Sequence, residues 1–347
     1  MQGVQTQHSS HYQLQRNNNT FQLQQVPSQQ PALAADQVLI RVGAMSLNYR
    51  DLLILRNAGQ DTVDGQIPLS DAAGTVIAIG SKVQRWQVGD RVAPNFFPQW
   101  QDGKYQTQHY SHGALGGANL AGVLAEHIVA SEDAIVAIPA HLSLQEAAAL
   151  PCAAVTAWHA LFERGQLQAG ETVLIQGTGG VALFALQLAA AQGAKVIITS
   201  SSDEKLARAK ALGAWETINY RAQPNWDEVA LALTGGMGVD HILELGGPET
   251  YARSINALAS GGHIHQIGVL TGFGPTPNLW PLQFKNAHIN GILVGSVAHF
   301  NALNAFLSQH QIRPVIDQEF AYAQASEAFD YLASAQHFGK IVINVQA

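Results

Sequence analysis

The residues with the clearest chemical purpose lie at Val173–Ala182, reading V-L-I-Q-G-T-G-G-V-A. An apolar strand ends at Gln176, a glycine-dense turn follows, and an apolar helical run begins at Val181. Gly177, Gly179 and Gly180 remove side chains where a turn needs unusual dihedrals and a pyrophosphate must approach the backbone. With Thr178 in the turn, the free N–H groups of the first helical turn would face that phosphate. Tight strand-to-helix turns also use glycine for structural reasons alone. Here a second apolar strand, Lys195–Ser200 (K-V-I-I-T-S), follows about one βαβ unit later, as the dinucleotide fingerprint requires. The pattern predicts nucleotide binding.

Other reactive side chains are sparse. Cys152 is the sole cysteine, which excludes an internal disulfide and any all-cysteine zinc lobe. No histidine is positioned by sequence to activate it, so it reads first as a small packed hydrophobe. A weak metal or redox role and nucleophilic catalysis stand behind that reading. His109 and His112 share an x-x spacing in a glycine-rich stretch, but no third ligand can be named. They read as solvent-facing loop histidines. A formal charge of −7 without a basic block argues against nucleic acid or an anionic membrane as partner. The start of the chain has neither a basic region nor an apolar signal core, and no run is long enough to span a bilayer. The expectation is a soluble, cytoplasmic protein.

The elements that must position these residues fall into two kinds, and 347 residues are comfortable for two domains. Met1–Ser10 is polar and expected to fray. Tyr12, Leu14, Phe21, Leu23 and Val26 alternate like short antiparallel strands. Val38–Met45 and Gly74–Ile79 are strand candidates, and Gly89–Val92 reads as a turn into another. Phe96–Gly117 has no clean period and suggests a surface lobe or a loop bordering the active site. The period changes at Leu144, and Ala153–Phe162 can form a helix. Strands at Thr172–Gln176, Lys195–Thr199, Glu216–Ile218, His241–Glu244, Gly262–Ile267 and Gly291–Val294 then alternate with helical segments, the rhythm of an open parallel sheet. Helices at Asn301–Ser308 and Ala323–Ala333 precede a final strand, Lys340–Val345. That strand has no place in the nucleotide domain and is expected to return to the first, making the β-domain discontinuous.

With these motifs in hand, the chain resembles the medium-chain dehydrogenase/reductase superfamily, which includes the zinc alcohol dehydrogenases and the quinone oxidoreductases. The resemblance rests on S-L-N-Y-R-D at Ser46–Asp51, S-D-A-A-G at Ser70–Gly74 and V-G-D-R-V at Val88–Val92. It also rests on L-P-C-A-A-V-T-A-W at Leu150–Trp158, the glycine turn, and H-F-G-K-I-V-I at His337–Ile343. It implies an α/β fold: a GroES-like, mostly antiparallel β-domain plus a doubly wound parallel-sheet Rossmann domain. The expected boundaries are 10–155 and 300–347 for the substrate and catalytic β-domain, and 156–299 for the dinucleotide-binding domain. The resemblance also implies a substrate cleft between the domains and a homodimer paired through the nucleotide-domain sheets. The apolar run Gly291–Gly295 would suit such an edge.

Carried onto this chain, the catalytic zinc positions of that family are Asn48, Ser70 and Cys152, and only the last is a strong zinc ligand. The resemblance therefore implies a branch without a metal site. Polarisation of a carbonyl would fall to hydrogen-bond donors, Asn48 and Tyr49 first, with Ser70 near the cleft. Thr156 matches a family residue close to nicotinamide, and its bland alternative is a back-bonded helical hydroxyl. Arg50 reads as a cofactor-phosphate or structural contact, Asp51 first as a helix-start or inter-strand contact with an acid/base role as the alternative. Where NAD enzymes place a ribose-binding acid, this chain has Ser201. Ser200, Ser202, Lys205, Tyr220 and Arg221 are candidates for an extra phosphate, although Asp203 complicates the case. NADP(H) is favoured, with NAD the alternative. Gly268 and Val269 resemble the segment lining nicotinamide, Val181 packs behind it, and Lys340 is a further cofactor candidate.

The expected reaction is hydride transfer between nicotinamide and a small apolar carbonyl, quinone or alcohol. A zinc enzyme with rebuilt ligands and a non-enzymatic dinucleotide-binding regulator are the alternatives.

Overall fold

The computed structural model describes residues 9–58, 62–275 and 277–345. Most of the expected frayed start, residues 1–8, lies outside the described residues, while Ser9 and Ser10 already belong to a strand. The chain divides into two compact units, Met1–Cys152 with Gly295–Ala347, and Ala153–Val294. Both crossings lie a few residues earlier than expected. Ser296 caps a helix of the first unit by accepting from His299 N–H, so that helix begins before Asn301.

The first unit opens with a hairpin, β1 (Ser9–Asn17) and β2 (Thr20–Ser28). Alternation buries Leu14 and Phe21 against Ile54 and leaves most of the hairpin's glutamines outside. β3 (Gln37–Ser46) follows, then α1 (Tyr49–Leu55), β4 (Asp71–Ile79), β5 (Arg91–Pro94) and α2 (Thr107–His112). β6 (His127–Ser131), β7 (Ile135–Ala137) and α3 (Leu144–Ala148) complete this portion of the chain. Phe96–Gly117 departs from the expected surface lobe. Phe96, Phe97 and Trp100 are buried, and edge-on and tilted ring packing joins them. His109 also corrects the solvent-facing reading: it is buried, with its ring stacked on Trp100 at 5.6 Å.

The second unit begins in a helical stretch in which π-helical turns at Leu150–Ala154 and His159–Arg164 flank α4 (Val155–Trp158). Its sheet contains β8 (Thr172–Gln176), β9 (Lys195–Ser200), β10 (Glu216–Asn219), β11 (Val239–Glu244), β12 (Leu258–Gln266) and β13 (His288–Gly291). Between them run α5 (Gly180–Ala191), α6 (Asp203–Ala211), α7 (Trp226–Leu233), α8 (Tyr251–Ala257) and α9 (Trp280–Lys285). All strand pairs are parallel, in the order β10-β9-β8-β11-β12-β13. That order reverses direction between β8 and β11, the switch point of a doubly wound fold. The last strand is His288–Gly291, three residues before the expected Gly291–Val294. Val294 has φ 45°, which no strand accommodates.

The chain then returns to the first unit through α10 (Val297–His310), β14 (Ile316–Ala321), α11 (Ala325–Ala333) and β15 (Lys340–Asn344). The first-unit sheet runs β14-β15-β3-β4-β5-β7, with β6 also on β3. The final strand does rejoin the β-domain, as expected. β14 was not anticipated: I-D-Q-E-F-A is an edge strand with no fully buried residue, so it lacks the apolar run that betrays a strand. Among the described residues no helix is long and apolar enough to cross a membrane.

Candidate active site

Antiparallel register brings three strand ends together in the first unit. Ser46 pairs with Asp71 on one side and with Val342 on the other. Counting outward, Asn48 lies past the end of β3, Ser70 just before β4, and Lys340 at the start of β15. These residues meet in one polar cluster.

Asn48 is the N-cap residue of α1, with extended backbone at φ −131° and ψ 158°. Its backbone N–H donates to Asp51 Oδ2 at 2.8 Å, so Asp51 is the helix-start contact expected of it. An asparagine here would ordinarily cap the helix with its own side chain. This one makes no such bond. Asn48 Oδ1 instead accepts from Lys340 Nζ at 2.7 Å, and Nδ2 is buried with no partner among the described residues. Lys340 is itself buried and also donates to Leu47 O at 2.7 Å.

Asp71 is the counter-charge, with Oδ2 3.9 Å from the ammonium. It accepts from the Ser70 hydroxyl at 2.6 Å and from Cys152 N–H at 3.1 Å. The Ser70 proton is thus committed to a carboxylate. Burial pushes the Asp51 carboxyl up to about 6, against the opposing pull of the Arg50 guanidinium. Burial also pushes the Cys152 thiol up, reinforced by Asp71, so it is a thiol and not a thiolate near neutral pH. Arg50 takes the structural option: it donates to Leu115 O at 3.0 Å and lies over the Phe96 ring. Tyr49 opens α1 and is exposed.

The second unit holds a separate cradle. Gly177 has φ 78° and would present a Cβ to open space, while its N–H anchors the turn on Thr199 O at 2.8 Å. Gly179 caps α5 without a side chain, which leaves the N–H groups of Gly180, Val181 and Ala182 without helical acceptors. Open space, a left-handed glycine and an uncapped helix start fit a pyrophosphate.

Sequence reasoning missed what braces this turn. Gln176 Nε2 donates to Glu244 Oε2 at 2.8 Å and to Ser254 Oγ at 2.9 Å, while Gln176 Oε1 accepts from Leu245 and Gly246 N–H. Glu244 Oε1 accepts from Gly246 and Gly247 N–H. The loops after β8 and β11 are therefore cross-linked at the switch point. The available signal was a glutamine and a glutamate each ending a parallel strand within two residues of a glycine. Gly268 N–H donates to Glu244 O, and a Cβ there would lie 2.2 Å from Leu245 O, so only glycine allows Val269 its place.

Near the ribose position Ser202 is the α6 cap, accepting from Lys205 N–H at 3.3 Å. Ser200 Oγ accepts from Ser202 N–H, and Ser201 is half-buried. Asp203 accepts from Asn219 Nδ2 at 2.6 Å, and Tyr220 and Arg221 are exposed beyond β10. Thr156 is buried in α4.

Residues 34–140 match the alcohol dehydrogenase GroES-like domain, and residues 180–309 match the zinc-binding dehydrogenase family. A zinc-type alcohol dehydrogenase-like protein of Schizosaccharomyces pombe is 44% identical over 318 residues, 89% of this chain and 91% of that protein. A quinone oxidoreductase of Pseudomonas aeruginosa is 32% identical over 79% of this chain and 80% of its own length. A crystal structure from Sinorhizobium meliloti 1021 superimposes with a TM-score of 0.92 at 40% identity, covering 98% of this chain and all of that one.

The zinc implied by two of these descriptions does not fit the residues present. Asn48 Oδ1 already faces an ammonium and the Ser70 hydroxyl is bound to Asp71, and neither an amide nor a hydroxyl replaces the thiolate or imidazole that zinc requires. Among the described residues no group of three or more His, Cys, Asp or Glu is placed to hold a metal ion. The dinucleotide cradle, by contrast, is intact. The chain belongs to the medium-chain dehydrogenase/reductase superfamily, as an NAD(P)-linked oxidoreductase of its alcohol dehydrogenase-like and quinone oxidoreductase branch.

Proposed function

We propose that this enzyme moves a hydride between NADP(H) and a small apolar carbonyl compound, quinone or alcohol without a catalytic zinc. The observation that carries the reading is the buried Asn48 Nδ2, a donor with no partner among the described residues, held in place by its own amide oxygen. A buried donor left unmatched costs about 1–3 kcal/mol, a cost relieved when a ligand oxygen arrives. When bound, the dinucleotide supplies or accepts the hydride at nicotinamide C4. Asn48 Nδ2–H then donates to the substrate oxygen, which receives the displaced electron pair. For a ketone or aldehyde that oxygen becomes an alkoxide and takes up a proton from Tyr49 or water. For a conjugated alkene the hydride joins the β-carbon, Asn48 holds the enolate oxygen, and the proton goes to the α-carbon.

NADP(H) is preferred over NAD(H) because Ser201 puts no carboxylate against the extra phosphate and Asp203 is engaged by Asn219. A homodimer is supported by β13, a sheet edge with no further strand among the described residues, and by the strongly exposed Trp280 and Phe284 in α9 of the same unit.

The test is N48A assayed with NADPH against 1,4-benzoquinone and 2-hexenal. The expected result is a fall in kcat/KM corresponding to about 1–3 kcal/mol of transition-state stabilisation, with NADPH affinity unchanged. Unchanged turnover would remove Asn48 from the mechanism.

A further inference from the structure

We propose that Lys340 is the positioning residue of this site: its ammonium locks the Asn48 amide with Oδ1 inward and supplies fixed positive charge where zinc-bearing relatives place a metal. The inference rests on the reading of Asn48 as the substrate-oxygen donor.

An asparagine amide has two ends of nearly equal size and opposite hydrogen-bonding character. Which end faces outward is decided by what the other end meets. An ammonium carries three donors and no acceptor, so Lys340 Nζ can donate only to the oxygen end of the amide, Oδ1, at 2.7 Å. Planarity then sends Nδ2 away from Lys340, where it has no partner among the described residues. A flipped amide would set N–H against N–H and present an acceptor to the substrate oxygen. It would repel the charge that develops there.

Lys340 is in turn held rigidly. It is buried, it donates to Leu47 O at 2.7 Å, and it has Asp71 Oδ2 3.9 Å away. Asp71 is fixed by Ser70 and by Cys152 N–H. The three positions that carry zinc ligands in the resemblance thus serve a different cation. Asn48 takes its hydrogen bond, while Ser70 and Cys152 hold its counter-ion. A preorganised charge in a water-poor setting acts on a developing oxyanion at little reorganisation cost. With Asn48 Oδ1 as the ammonium's contact toward the site, its effect on the substrate oxygen should pass through the amide.

The experiment is a double-mutant cycle on the purified, full-length enzyme with NADPH and 1,4-benzoquinone, using K340M, K340R, N48A and K340M/N48A. K340M is expected to lower kcat by about 30-fold or more, a well-aimed donor being worth that much. NADPH affinity, read by fluorescence titration, should stay within about twofold, and K340R should recover most of kcat. In the N48A background, adding K340M should cost less than about threefold, because residues acting as a unit are not additive. K340M/D71N removes both charges together and keeps the test alive where K340M alone leaves Asp71 unpaired and fails to fold. That variant should show the same kcat loss.

A second readout needs neither substrate nor cofactor. The Asn48 side-chain amide signals in 15N-resolved NMR, identified by their loss in N48A, should be sharp in the parent and K340R and broadened in K340M. Weaker NADPH binding with kcat preserved would make Lys340 a cofactor ligand and overturn the proposal. So would multiplicative losses in the cycle, or one zinc per chain in the purified parent lost together with activity on chelation. A harmless N48A would instead sink the functional reading beneath it, whereas a harmless K340M beside a damaged N48A sinks this inference alone.

Discussion

Asp51 is buried, it accepts a backbone N–H from Asn48, and its carboxyl titrates near 6. Because that value lies above the unfolded one, the native state binds the proton more tightly. The resulting stabilisation is complete below the unfolded value of 3.8 and is lost as pH rises through about 6. Asp51→Asn keeps an acceptor for Asn48 and abolishes the titration. Between pH 3.5 and pH 7.5 the parent should therefore lose up to ~3 kcal/mol relative to D51N, measured from urea unfolding at each pH. A difference that does not vary with pH would show that the carboxyl titrates normally. At this scale the sequence pointed to Asn48, Ser70 and Cys152 as positions worth watching. It could not reveal that Lys340 meets Asn48, because 292 residues separate them and only sheet register joins them. Lys340 was expected at the cofactor; its ammonium donates to Leu47 O and Asn48 Oδ1, a contact that the sequence did not suggest.

The turn between β8 and α5 and the start of α6 are local devices, and local devices are what a sequence displays best. The glycine turn lies where its spacing predicts, since positive φ at Gly177 and an uncapped helix start need only neighbouring residues. β13 was placed three residues late and β14 was missed because both lie at sheet edges, where register with a distant strand, not a run of apolar residues, sets the limits. The proposed preference for NADP(H) also belongs to this scale, because it rests on one position between β9 and α6. Ser201→Asp should weaken NADPH binding by about tenfold or more and leave NADH binding within about threefold, by restoring the ribose-binding acid beside the phosphate site. Fluorescence titration of the variant with each dinucleotide decides it. Equal losses for both would place the phosphate elsewhere.

For the whole molecule, the exposed edge at β13 and the aromatic face of α9 predict a dimer in light scattering at micromolar concentration. F284E should shift that dimer toward monomer, and a parent that is only monomeric would end the claim. The discontinuity of the first unit bears on how the chain is made. Residues 153–294 form a contiguous unit that can close as soon as they are synthesised. The Ala44–Ser46 end of β3 pairs with β15, so part of the first sheet waits for the last strand to emerge. At about 5–20 residues per second that wait is on the order of 15–60 s, during which an apolar strand end lies open to wrong partners. A nascent chain arrested after β14 should therefore protect residues 153–294 from protease while residues 37–94 are cut. Equal protection of both stretches would mean that the first sheet closes without its final strand. The same late strand carries Lys340, so if that residue positions Asn48, catalytic competence waits for β15, and a chain stopped before it that already binds dinucleotide would be unable to turn it over.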